Sequence, residues 1–156
     1  MQEYGWFKMT LKNEAQTQDV KAILLEYLPE CWASALKMEE STLSVFPETH
    51  IYMDDYRGLI PTICKEIASQ HPDYSFEMES NGSDDQGLYS SSETATLKKG
   101  VFHLEQTVEA VEEPNWDEVD MDDFDFDEML DNVKVHHILI HGELVDGKME
   151  FTEAEN

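Results

Sequence analysis

Between Glu112 and Asn132 the chain reads EEPNWDEVDMDDFDFDEMLDN, 21 residues with eleven carboxylates and no Lys or Arg. A buried helix or strand cannot hold that density of ionised groups, because each would lose its hydration without gaining a cation. The core must therefore be built from the residues on either side. Yet Trp116, Val119, Met121, Phe124, Phe126, Met129 and Leu130 are threaded through the same run. A merely solubilising tail has no use for a Trp and two Phe.

The imbalance extends along the chain. Ten Lys and Arg face 35 Asp and Glu, a net charge of −25 over 156 residues. Residues 1–108 carry 8 cations and 18 anions, whereas residues 109–156 carry 2 and 17. Self-repulsion of this size opposes compaction and is screened by salt. The sign argues against direct binding to nucleic acid or to an anionic membrane, both of which need a basic face. It favours a basic protein as partner, in particular one whose surface normally holds nucleic acid.

The length fits one domain with appendages. Cys31 and Cys64 each sit in an apolar setting and read as reduced, buried thiols of a cytoplasmic protein. The N-terminus shows no basic region leading into an apolar run. No apolar stretch approaches the roughly 20 residues of a membrane-spanning helix.

Apolar spacing marks the elements. Phe7, Met9 and Leu11 alternate with polar residues, the period of a half-buried strand. Val20, Ile23, Leu24, Tyr27 and Leu28 then share one helical face, with Thr17 as the expected cap and Pro29 as the stop. CWASALKM reads as a strand, and STLSVFPETHIYM as another, with Pro47 marking an edge or a bulge. Ile60, Ile63, Cys64 and Ile67 line a second helix that Pro72 ends; Asp54 or Asp55 is its expected cap. Pro61 belongs in a first turn, which predicts a start near Leu59 or Ile60. Tyr74, Phe76 and Met78 alternate again, and LYSSSETATL and VFHLEQTV flank Lys98-Lys99-Gly100 as a hairpin. Asp146-Gly147, between GELV and KMEF, signals a second hairpin, after which TEAEN is expected to fray.

This order predicts an α+β fold. A ferredoxin-like α/β sandwich, β-α-β-β-α-β, is expected over residues 1–108, followed by an acidic aromatic segment over 109–132. A C-terminal β-hairpin over 133–156 is expected to pack on the domain. The run from Thr49 to Phe102, with His71, Pro72, Tyr74, Phe76, Gly87 and Gly100 in fitting places, resembles the YubB-type ferredoxin-like domains. The family's Trp- and Pro-rich turn and its acidic–glycine signature are absent. The resemblance implies the fold and a mobile-element setting, and it brings no catalytic motif.

Several constellations invite a site. Asp123, Asp125 and Asp127 match the first ligand positions of an EF-hand, but Glu128 stands where Gly is needed and Lys134 where Glu is needed. His136, His137 and His141 look like metal ligands. On a strand, however, only His137 and His141 share a face, and no zinc-type spacing supports them. Asp54-Asp55-Tyr56-Arg57 reads as a capped helix start with Arg57 paired to it. There is no nucleophile elbow, phosphate loop or Cys–His signature. The chain is therefore expected to be no enzyme, with no cofactor and no metal.

Phe126, Met129, Leu130 and Val133 fall at helical spacing behind an Asp125–Glu128 capping pair. So part of the acidic stretch is a short helix, docking either on its own domain or on a partner. The expected contact residues are Glu112, Glu113, Trp116, Asp117, Glu118, Asp120, Asp122, Asp123, Phe124, Asp125, Phe126, Asp127 and Glu128. Asp84 and Asp85 form a second negative turn. The leading expectation is a non-enzymatic inhibitor that mimics nucleic acid, in the manner of anti-restriction, anti-CRISPR and nuclease-immunity proteins. The alternative is an accessory or structural domain of a mobile element whose acidity serves solubility or habitat. An edge strand at 42–53 or 101–108 is the place for a homodimer contact.

Overall fold

The computed structural model describes residues 3–45, 56–84 and 88–155. The elements run β1 (Glu3–Leu11), α1 (Glu14–Tyr27), α2 (Glu30–Ala35), β2 (Leu36–Glu39), β3 (Thr42–Val45), α3 (Tyr56–Gln70), β4 (Phe76–Asp84), β5 (Tyr89–Lys98) and β6 (Val101–Val111). A 3-10 turn (Trp116–Glu118), α4 (Phe126–Asp131), β7 (Val133–Val145) and β8 (Lys148–Glu155) follow. The expected mixture of helices and strands is present. The strands of the described residues join one antiparallel sheet of eight, in the order β2-β3-β1-β4-β5-β6-β7-β8. The sheet is thus larger than a four-stranded sandwich, and the C-terminal hairpin extends it through β6.

One face of the sheet is dry. Phe7, Met9 and Leu11 of β1, Leu43 and Val45 of β3, Phe76 and Met78 of β4, Leu97 of β5 and Phe102 and Leu104 of β6 are buried there. Val20, Ile23 and Leu24 of α1 and Ile60, Ile63, Cys64 and Ile67 of α3 close over them. The period-2 and period-3.6 patterns meet in this layer, which is why each element buries the stripe its spacing dictates. The Tyr74 hydroxyl donates to the Asp19 carboxylate, tying the turn after α3 to α1. Among the described residues no helix is long and apolar enough to cross a membrane.

Local chemistry corrects several expectations. Thr17 is not the cap of α1. The helix starts earlier, the Asn13 carboxamide oxygen accepts from the Gln16 N–H at 2.9 Å, and Thr17 is buried with its hydroxyl on the Asn13 carbonyl. CWASALKM is not a continuous strand. Pro29 and Glu30 open α2, which buries Trp32, and strand geometry begins only at Leu36. α3 begins at Tyr56, so Pro61 lies inside the helix rather than in its first turn. Pro61 has no N–H to offer the Arg57 carbonyl one turn back. β8 continues to Glu155, so Thr152–Glu155 are paired rather than frayed.

The two hairpin turns match their sequences. Lys99 and Gly100 (φ 52° and 76°) and Asp146 and Gly147 (φ 52° and 82°) adopt the left-handed geometry of tight two-residue connections. Of the places expected for a dimer contact, β3 (Thr42–Val45) lies between β2 and β1 and β6 between β5 and β7, so among the described residues neither is an edge; positions 46–53 lie outside the described residues. The sheet's edges are β2 and β8. Pro47, Asp54, Asp55 and Asp85 lie outside the described residues.

Candidate partner-binding excursion between β6 and β7

β6 and β7 pair along their whole overlap, and their last rung is Val111 opposite Val133. Residues 112–132 therefore leave the sheet and return to the same point as a closed excursion. Its neck is tied three ways. The Glu112 N–H donates to the Asn132 carbonyl at 3.1 Å. The Lys134 ammonium reaches one Glu112 oxygen at 3.0 Å, and the Asn132 amide reaches the other at 3.4 Å.

Within the excursion, carboxylates and amides organise the backbone. The Asn115 carboxamide oxygen accepts from the Asp117 N–H at 3.2 Å and starts the 3-10 turn. Asp120 accepts from the Asp122 N–H at 3.1 Å. Asp125 caps α4 by accepting from the Glu128 N–H at 3.2 Å, and the α4 register follows the sequence spacing. Acidic residues at such positions also suit the positive end of a short helix.

The aromatic side chains neither scatter nor enter the core. Trp116 meets Phe124 edge-on at 5.2 Å and stacks over Phe126 at 6.2 Å, while Phe124 and Phe126 meet edge-on at 4.8 Å. The cluster is open: Trp116 is 41% exposed, Phe126 47%, Met121 56% and Leu130 41%. Glu112, Glu113, Asp117, Glu118, Asp120, Asp122, Asp123, Asp127 and Glu128 are all exposed around it. Self-packing of three rings offsets part of their hydration cost, but it leaves apolar surface facing water. In the free chain the three rings pack on one another and stay partly open to water.

Asp84 ends β4 in register with Glu3, and Ser83, Ser90, Glu109 and Val135 follow one another across β4, β5, β6 and β7. The end of β4 is thus at the same end of the sheet as the excursion's neck, two strands away. The histidines are spread out. His137 and His141 share the exposed face, four residues and about 13 Å apart along β7. His137 lies beside the Thr107 hydroxyl at 3.2 Å, and His141 beside Glu143 at 2.8 Å. His136 points to the opposite face and meets Glu155 at 2.9 Å. Among the described residues no three His, Cys, Asp or Glu converge as metal ligands.

Met121 and Leu130, left out of the expected contact set, are as exposed as the rings, and their spacing within the acidic run was the available signal. Glu93 was missed outright. It is 2% exposed on the inner face of β5, and burial raises its pKa while hydrogen bonds from Ser80 and Gln106 pull it partly back. Its place in the alternation Tyr89, Ser91, Glu93, Ala95, Leu97 was legible. No protein-family model, curated protein or solved structure matches this chain.

Proposed function

We propose that this chain is a non-enzymatic acidic binding protein that occupies the basic surface of a nucleic-acid-handling protein, as an inhibitor of the anti-restriction, anti-CRISPR or nuclease-immunity kind. The observation that carries this reading is the excursion 112–132, which holds eleven carboxylates and an exposed three-ring cluster outside the core. A charge excess that opposes folding persists more readily when a partner uses it. Long-range attraction from such a surface speeds encounter with a basic groove, and the rings supply the short-range contact that holds it. We read β1–β4 with α1 and α3 as a ferredoxin-like unit that β5–β8 enlarge, in the mobile-element setting implied by the YubB-type resemblance. On this reading the sheet is a platform and the excursion is the working part.

The experiment is capture of the basic partner from the source cell, followed by competition with duplex DNA. DNA should displace the chain. Replacing Asp122, Asp123, Asp125 and Asp127 by Asn should slow association and flatten its salt dependence. Unchanged rate and salt slope in that variant would favour an accessory domain whose acidity serves solubility.

A further inference from the structure

We infer that the excursion seats a cationic amphipathic helix of its partner, a refinement that rests on reading residues 112–132 as the contact site. Ten large apolar side chains are exposed among the described residues, and six of them lie between positions 116 and 135: Trp116, Met121, Phe126, Leu130, Val133 and Val135. Exposed apolar surface is therefore concentrated where the charge is. Concentrated patches of this sort mark contacts, whereas single exposed residues do not. The Trp116–Phe124–Phe126 cluster is already assembled, so little ordering is left to be done on binding. At its Phe124 side, half-buried Phe124 and Met129 line a concavity of about 740 Å3 whose exposed lining includes Asp123, Asp125, Glu128 and Asp131.

The occupant follows from charge complementarity and shape. A nucleic-acid groove lined only with Lys and Arg would satisfy the carboxylates and leave Trp116, Phe126 and Leu130 facing polar surface. A strand sends alternate side chains to opposite faces and presents its charges less densely. A cationic amphipathic helix has an apolar stripe flanked on both sides by Lys or Arg. Their stems lie along apolar surface while their heads reach outward to the carboxylates. Met129, which lines the concavity, is flexible enough to adapt to the stripe's side chains. This is recognition of a helix's apolar stripe on the exposed apolar surface of the acidic excursion.

The test uses the full chain and two labelled synthetic peptides of about 18 residues, long enough for five helical turns. Both contain only Leu and Lys in equal numbers. One places Leu on a single helical face, and the other scatters it. Fluorescence anisotropy should show the amphipathic peptide binding at least tenfold more tightly than the scattered one. Circular dichroism should show it gaining helix on binding. Trp116→Ala with Phe126→Ala should weaken the amphipathic peptide tenfold or more and leave the scattered peptide unchanged. Thermal melts of the double variant verify that the sheet is intact. Equal binding of the two peptides, or no effect of the double variant, overturns the inference while leaving the charge-based reading standing. No binding by either peptide overturns it as well. An unchanged rate and salt slope in the Asn variant described above bears only on the underlying reading, so the two failures are separable.

Discussion

The Ser80 hydroxyl donates a 2.8 Å hydrogen bond to the Glu93 carboxylate inside the dry layer of the sheet. The Gln106 amide donates to the second Glu93 oxygen at 3.1 Å, so three neighbouring strands contribute to one buried polar group. Cys64 on α3 packs into the same layer. Burial raises its thiol pKa far above the ordinary value, with a smaller push from the Glu93 charge. A carboxyl group held by donors can stay in such a layer, but its charged form is disfavoured there.

Glu93 makes stability fall as pH rises. Its folded-state pKa is raised by burial above the ordinary glutamate value near 4.5. The folded chain therefore holds this proton to higher pH than the unfolded chain does. The contribution is complete below the unfolded pKa and is lost as pH climbs through the folded one. Melts of the wild type and Glu93→Gln at fixed high salt should diverge over that climb, with the variant losing less stability. The other carboxylates are common to both proteins, so the difference isolates Glu93. Parallel profiles would mean that the buried carboxylate ionises without penalty.

Much of this architecture was legible because one physical signal governed each element. Alternation alone predicts β1, the Lys98-Lys99-Gly100 turn predicts the β5–β6 hairpin, and the Asp-Gly pair predicts the last turn. The Asp125–Glu128 pair foretells α4 because a cap needs only local chain. What stayed hidden depended on distant partners. Nothing near Thr42 or Val101 reveals that β1 inserts between β3 and β4, or that β7 covers β6. So edges could not be assigned. Glu93 sat on the buried face by period but looked like a surface residue by charge, since its donors lie on β4 and β6. The excursion's rings were visible as anomalies, but their mutual packing depends on a chain reversal that spacing does not encode.

The β7–β8 hairpin should be more sensitive at Gly142 than at Gly147. Gly142 faces Phe151, and a Cβ there would come within 2.8 Å of two ring carbons. That ring is packed edge-on against Phe102 at 5.5 Å and cannot simply retreat. Gly142→Ala is expected to cost about 1–3 kcal/mol through overpacking. Gly147 has φ +82° and nothing within 4 Å of the added Cβ, so Gly147→Ala costs only the backbone term of about 1 kcal/mol. Urea midpoints would rank the two, and a reversed order would contradict the packing.

The rings of the excursion should be nearly silent in global stability. Phe102 is fully buried between Phe76 and Phe151, so Phe102→Ala is expected to cost about 3–5 kcal/mol. Phe126 is 47% exposed and touches the other rings of the excursion. Phe126→Ala should therefore lower the free energy of unfolding by less than about 1 kcal/mol, as surface changes do. A cost equal to that of Phe102→Ala would tie the cluster to the core and remove the basis for a free contact surface.

Salt should act in opposite directions on folding and on binding. With a net charge of −25, the folded chain compresses like charges that the unfolded chain spreads apart. Screening shortens the reach of that repulsion to about 10 Å at 0.1 M ionic strength, so added salt should raise the melting temperature of the free protein. The same screening should weaken any partner held by charge. Replacing Asp122, Asp123, Asp125 and Asp127 by Asn removes four negative charges but preserves the α4 cap, because Asn accepts at that position as Asp does. The variant should melt slightly higher than the wild type at low salt, and the two should converge at high salt. Melting scans across a salt series read both effects. A variant that melts lower at every salt concentration would show that these carboxylates hold the excursion together rather than strain it, and would locate their role inside the fold.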